Sequence, residues 1–242
     1  MTTESSELVV SGIPIQVVRK NIKNLHLATY PPDGRVRIAV PLHVGDEAVR
    51  MAVASKLGWI RSKQAAYAEQ VRQSRREMVT GESHYVQGTR YRLRLIEAPG
   101  KQSVRIRGGN TLELTANPGR TAAQREAVLN RWHRESLRAE IPKIIEKWEP
   151  RVGATVADWG IKKMRTRWGS CNAAAGRIWL NLELAKKPPE CLEYIVVHEM
   201  IHLFERRHND NFKAHMDRLM PLWRTHRDTL NAVPLGHEDW EY

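Results

Sequence analysis

Two histidines and a glutamate stand together at His198-Glu199-Met200-Ile201-His202, and a third histidine, His208, follows six residues later. Histidines four apart share one helix face, one turn above each other, so both imidazoles reach a single ion. Glu199 lies about a hundred degrees round from His198, close enough to hold a water beside that ion. Imidazole ligands with one position left open suit zinc best, one ion per chain. His208 sits beside Asn209 and Asp210, where the chain is set to turn, and supplies the third ligand of a His-Glu-x-x-His-x5-His pattern. Packing histidines on a core helix would explain the pentapeptide better than they explain a third histidine at this distance.

The elements that must hold these residues follow from their neighbours. Pro188-Pro189-Glu190 opens the metal-binding helix, prolines being tolerated in a first turn, and Tyr194 to Val197 with Leu203-Phe204 bury it. After His208, Asn209 or Asp210 caps a last long helix bearing Phe212, Met216, Leu219, Leu222 and Trp223. Upstream, Thr121 and Gln124 form a capping-box signal for a helix through Trp132 and Leu137. Pro142 is expected to kink or restart it before Ile144, Ile145 and Trp148. Lys162 to Arg167 and Arg177 to Leu182 read as strands.

The first half is richer in strands. Residues 1–11 read as a disordered lead-in. Ile13, Ile15 and Val17, then Leu25 and Leu27, then Val36, Ile38 and Val40 alternate with other residues, which predicts three short strands, the last two joined at Pro31-Pro32-Asp33-Gly34. From a cap at Asp46, Val49, Val53, Leu57 and Ile60 recur at helical spacing, predicting one helix through Trp59 and Tyr67 to about Arg76. Three more strands, around Tyr91–Leu95, Val104–Ile106 and Leu112–Leu114, read as a meander with one arginine-rich face, which needs interleaved carboxylates or an anionic partner. No internal repeat is evident in the sequence.

Composition excludes several classes. The chain has 242 residues, 41% of them hydrophobic, enough for a substantial core. No run is long enough to cross a membrane, and the polar, acidic start Met-Thr-Thr-Glu-Ser-Ser-Glu is no secretory signal. Two cysteines, Cys171 and Cys191, make no disulfide scaffold, so a cytoplasmic location with reduced thiols is expected. The net charge is +12, and residues 61–107 hold eleven Lys and Arg against four Asp and Glu. That basic stretch could attract nucleic acid.

The blocks Met164-Arg165-Thr166-Arg167-Trp168-Gly169-Ser170-Cys171, Ile178 to Asn181, Tyr194 to His202, His208 and Phe212 resemble the YgjP-like metallopeptidases, relatives of the SprT-like proteases within the zincin group. The resemblance extends over most of the chain and more loosely to the N-terminal strands and Trp59-Ile60. It implies a zincin fold, and the chain as a whole reads as α+β: a zincin-like catalytic region at 118–242 preceded by a β-rich N-terminal region with one long helix at 1–117, the two expected to form one compact unit. It implies one zinc held by His198, His202 and His208, Glu199 as general base, and a protein or peptide substrate. Met200 replaces the more usual leucine. Where metzincins have a glycine this chain has Glu205, so no metzincin turn is assigned.

Beside that core, Asn181 on the strand before the metal helix is a candidate for aligning substrate backbone. Cys171 offers a thiolate as a candidate for holding zinc in a latent state, although a buried structural thiol is the commoner role. Tyr194 supports the site or packs in the core, His215 reads as surface, and Glu205 reads as helical and turned away from the metal. The competing reading is a nucleic-acid-binding protein with a structural metal, or a protease recruited to DNA. Glu199 separates them, since a structural site has no use for a base.

Overall fold

A computed structural model describes residues 4–30, 34–69, 76–164 and 167–232. The chain gathers into two compact units, 1–71 and 72–242. The boundary expected at 117 falls inside the second. Among the described residues no helix is long and apolar enough to cross a membrane.

In the first unit, β1 (Glu4–Val10) turns back through Ser11-Gly12 onto β2 (Ile13–Lys20). Both turn residues have positive φ, 50° and 79°, the two-residue hairpin geometry that matches strand twist. β3 (His26–Tyr30) pairs antiparallel with β4 (Arg35–Pro41), and β4 lies parallel to β2, giving the order β1-β2-β4-β3. Ile15, Val17, Val36, Ile38 and Val40 fill the core from alternate positions. The expected lead-in at 1–11 is therefore corrected: residues 4–10 form a strand, because Val10 and its neighbour Leu8 add to that core. The single helix expected from Asp46 is two, α1 (Asp46–Ala54) and α2 (Leu57–Glu69). Gly45, not Asp46, is the N-cap, while Asp46 pairs with Arg19. The Ser55 hydroxyl donates back to Ala52 O at 2.9 Å at the break. Pro31 to Asp33 and the expected end of the helix at 70–75 lie outside the described residues.

The second unit opens with β5 (Ser83–Val86), β6 (Thr89–Glu97), β7 (Ser103–Arg107) and β8 (Thr111–Ala116) in the order β5-β6-β8-β7. It is not the expected meander. β8 inserts between β6 and β7 and runs parallel to β6, which places Leu93 beside Leu112 and Leu95 beside Leu114 on one apolar face. On the other face Glu113 stands between Arg94 and Arg105 in register, and its carboxylate takes Arg94 at 3.2 Å and Arg107 at 3.3 Å. The arginine row thus has a carboxylate of its own at its centre. The basic stretch 61–107 as a whole is divided between the two units.

The two four-stranded sheets share one connectivity, contrary to the expectation of no repeat. β4 and β8 begin 76 residues apart, at Arg35 and Thr111, and so do the helices that follow, at Asp46 and Ala122.

That second helix, α3 (Ala122–Val152), has the capping box of Thr121 and Gln124 and stops at left-handed Gly153. It continues past both Pro142, where a kink or a restart was expected, and Pro150, as one helix without a restart. An apolar stripe from Val128 through Leu137, Ile141 and Ile145 to Val152 is buried along its length, and that burial outweighs the lost backbone bonds. A small sheet follows, with β9 (Asp158–Lys162), β10 (Gly169–Asn172) and β11 (Arg177–Asn181) ordered β10-β11-β9, so β10 is an edge. The strand expected to reach Arg167 ends at Lys162. A 3-10 turn at Leu182–Lys186 leads to α4 (Pro189–Ile201), whose N-cap is Pro188. The expected last long helix is broken by Pro221 into α5 (Asp210–Leu219) and α6 (Trp223–Ala232). The tail from Val233 onward lies outside the described residues.

Candidate metal centre and its cavity

α4 is apolar on nearly every side, and Tyr194 through Val197, Met200 and Ile201 are all buried. Such a helix belongs in a core, so a polar group on it must find partners there. The helix ends at Ile201 with His202 as its C-cap, earlier than the sequence suggested. The turn after it returns His208 to the first two histidines. The three Nε2 atoms meet at 3.1 Å (His198–His202), 3.0 Å (His202–His208) and 3.0 Å (His198–His208). Three imidazole nitrogens facing one point cannot all hydrogen-bond to one another, since each pair needs one donor and one acceptor. Neutral rings with lone pairs turned inward are instead the donor set of a divalent cation.

Several contacts fix that arrangement. His202 Nδ1–H donates to Glu205 O at 2.8 Å, leaving the Nε2 lone pair for the centre. Glu205 is therefore not helical and contributes its carbonyl, while its carboxylate accepts from Arg207 N at 3.3 Å. The Phe212 ring lies 4.8 Å from all three imidazoles, stacked on His202 and edge-on to the other two. It reaches them from α5, whose first turn is held by the Asn209 side chain accepting from Phe212 N. Burial and the neighbouring His202 and His208 push His198 down to about 3, and burial followed by His202 lowers His208. Both rings are thus neutral, as a metal requires.

Glu199 is buried among apolar neighbours and opens onto the same cavity as the histidines. Burial pushes its carboxyl up to about 8, opposed by the charge of Arg167. Gly169 makes room for it: a Cβ there would lie 2.5 Å from Glu199 Oε1 and 2.7 Å from its Cγ. The steric role of this glycine was not visible in the sequence, although the Arg-Trp-Gly-Ser-Cys block pointed to its neighbourhood.

The cavity encloses about 780 Å³, walled by residues 167–174 on one side and by Tyr194, Arg227, Leu230 and Asn231 on the other. Cys171 belongs to that wall, but its thiol is not among the converging ligand atoms, and burial followed by Glu199 pushes it up to about 11. Tyr194 meets His198 edge-on at 5.8 Å and stacks on Trp223 at 6.3 Å, so it both packs and supports the site. His215 is half-buried against Phe204 rather than free on the surface.

Asn181 is buried at 4% exposure, away from the cavity wall. Its amide donates to Met164 O at 2.8 Å and Arg167 O at 2.7 Å, and its oxygen accepts from Met164 N and Glu183 N. All four bonds go to its own chain. Contact with substrate was expected of this residue; its side chain is engaged by its own chain at the end of the central strand β11, flanked by the edge strands β10 and β9.

A family model described as "YgjP-like, metallopeptidase domain" matches residues 23–233, from just before β3 to the end of α6. No curated protein and no solved structure gives a significant match.

Proposed function

The chain belongs to the YgjP-like family of metallopeptidase domains, and from that premise we propose a zinc-dependent peptidase of zincin type. Its catalytic region is 118–242, preceded by the β-rich region 1–117. The observation that carries this reading is the meeting of three Nε2 atoms within 3.1 Å of one another in a cavity shared with a buried glutamate. His198, His202 and His208 would hold the metal, and zinc there supplies Lewis-acid chemistry toward a water and a peptide carbonyl. Glu199 is the general base: it takes a proton from the attacking water and returns it to the leaving amine. Its raised pKa would leave it protonated near neutral pH, and Arg167 draws it back toward the anion a base must be. Any nearby cation pulls in the same direction.

The edge strand β10 forms one wall of the cavity, so an extended peptide adds to it by backbone bonds. Asn181 aligns substrate indirectly, by holding Met164 and Arg167 ahead of that strand.

The test pairs metal analysis with cleavage of unfolded casein for the wild type and Glu199→Gln. One zinc per chain in both proteins, with cleavage by the wild type only, is the expected result. A wild type that binds no zinc overturns the proposal.

A further inference from the structure

The cavity that holds the histidines carries three guanidinium groups, Arg167, Arg206 and Arg227, against one carboxylate, Glu199. They come from three separate places: the residue before Trp168 and β10, the turn between His202 and His208, and α6. No local pattern assembles them; the fold does. Arg227 shares Asp228, at 3.0 Å, but Asp228 does not line the cavity. The guanidinium groups of Arg167 and Arg206, both exposed residues, make no hydrogen bond or ion pair with any described residue. Some exposed arginines outside the cavity have carboxylates, as Arg94 and Arg107 do at Glu113 and Arg224 does at Asp217. The cavity is therefore a place of surplus positive charge, three guanidinium groups against one carboxylate.

From this we infer that the cavity is an anion-selective subsite, and that its substrates are peptides with acidic side chains flanking the bond to be cut. The inference rests on the peptidase reading for its choice of a peptide as ligand. A planar guanidinium grips a carboxylate through two parallel hydrogen bonds, and a cleft lined by one sign of charge concentrates ligands of the other. The same charges reject lysine and arginine side chains, so discrimination comes from repulsion as well as attraction.

The experiment uses the zinc-loaded full chain and three quenched-fluorescent peptides of one sequence, with Glu, Gln or Lys on both sides of the scissile bond. In parallel, fluorescence anisotropy measures their binding to Glu199→Gln. Cleavage in the order Glu, Gln, Lys is expected, with about tenfold in kcat/KM between the ends, narrowing as salt is raised. Arg206→Glu and Arg167→Glu should each lower the Glu-to-Lys ratio, in cleavage and in binding alike. Since each is read as a ratio, a general loss of activity does not imitate the effect. Equal cleavage and equal binding of the three peptides overturns the inference while leaving the peptidase reading standing. Preferred binding of the Glu peptide with no cleavage of any peptide upholds the subsite and defeats the peptidase reading.

Discussion

The sheets β1–β4 and β5–β8 are wired alike but belong to different units, and the second lies in the unit that holds the metal centre. Their hairpin turns show the difference. Ser11-Gly12 and Gln87-Gly88 adopt nearly the same backbone, with φ of 50° and 79° against 48° and 81°. A Cβ on Gly12 would meet nothing within 4 Å, whereas one on Gly88 would lie 2.8 Å from Pro188 Cγ, at the N-cap of α4. Gln87 N and Gly88 N also donate to Ala185 O and Lys186 O, at 2.9 and 3.0 Å, in the turn that leads into that helix. The following helices diverge in the same way. α1 has nine residues and stays with its own sheet, while α3 has thirty-one. Its Val128 and Leu129 pack on the second sheet, and its residues from Leu137 to Val152 join the core around α4. One topology thus carries a short helix in one unit and, in the other, a long helix that reaches the core around α4.

Substitutions on either side can break or sharpen that contrast. The largest effect belongs to the centre itself: His202→Ala should lose metal and activity together, whereas Glu199→Gln keeps the metal and loses about 10²–10⁴ in kcat, read by metal analysis and casein cleavage. Next is Gly169→Ala, whose methyl displaces the Glu199 carboxylate. Activity should fall about a hundredfold with zinc content and melting temperature nearly unchanged, and an unchanged rate would show that Glu199 does not act from this position.

His133, on α3, is 1% exposed with both ring nitrogens unpartnered, and burial, with smaller contributions from Lys186 and His84, pushes it down to about 3. The unfolded chain binds a proton there at about 6.5, so between those values the unfolded state takes up more protons than the folded one. Stability should be full above pH 6.5 and fall as pH drops toward 3, by several kcal/mol. His133→Leu should flatten that slope in chemical denaturation at pH 7 and pH 4.5. The smallest effect is the direct test of the comparison. Gly12→Ala should cost about 1 kcal/mol for its positive φ; Gly88→Ala should cost more and also reduce activity by moving the start of α4. Equal costs would mean that the second hairpin is no better anchored than the first.

The repeat itself shows why part of the fold is hard to see in the residues. Val17 and Leu93, Val36 and Leu112, Ile38 and Leu114, Val40 and Ala116 hold corresponding buried places 76 residues apart, with apolar character in common but not identity. The pairing is also offset, Val17 facing Ile38 but Leu93 facing Leu112. A shift of two keeps the same face inward and so leaves the alternation unchanged. For the same reason alternation identified the strands but not that β6 and β8 are parallel.

What the sequence by itself determined is the local part of the centre. Helical periodicity puts His198 and His202 on one face whatever surrounds them, and Asn209, which caps the next helix, marks the turn that brings His208 back. What only the tertiary structure decided is everything that reaches those residues from afar: Phe212 beneath three imidazoles, Gly169 yielding space to Glu199, Asn181 spent on its own chain, and three arginines gathered around one cavity. Local geometry follows from bond rotations repeated along a few residues. These other contacts depend on which surfaces bury one another, and no spacing in the chain encodes that.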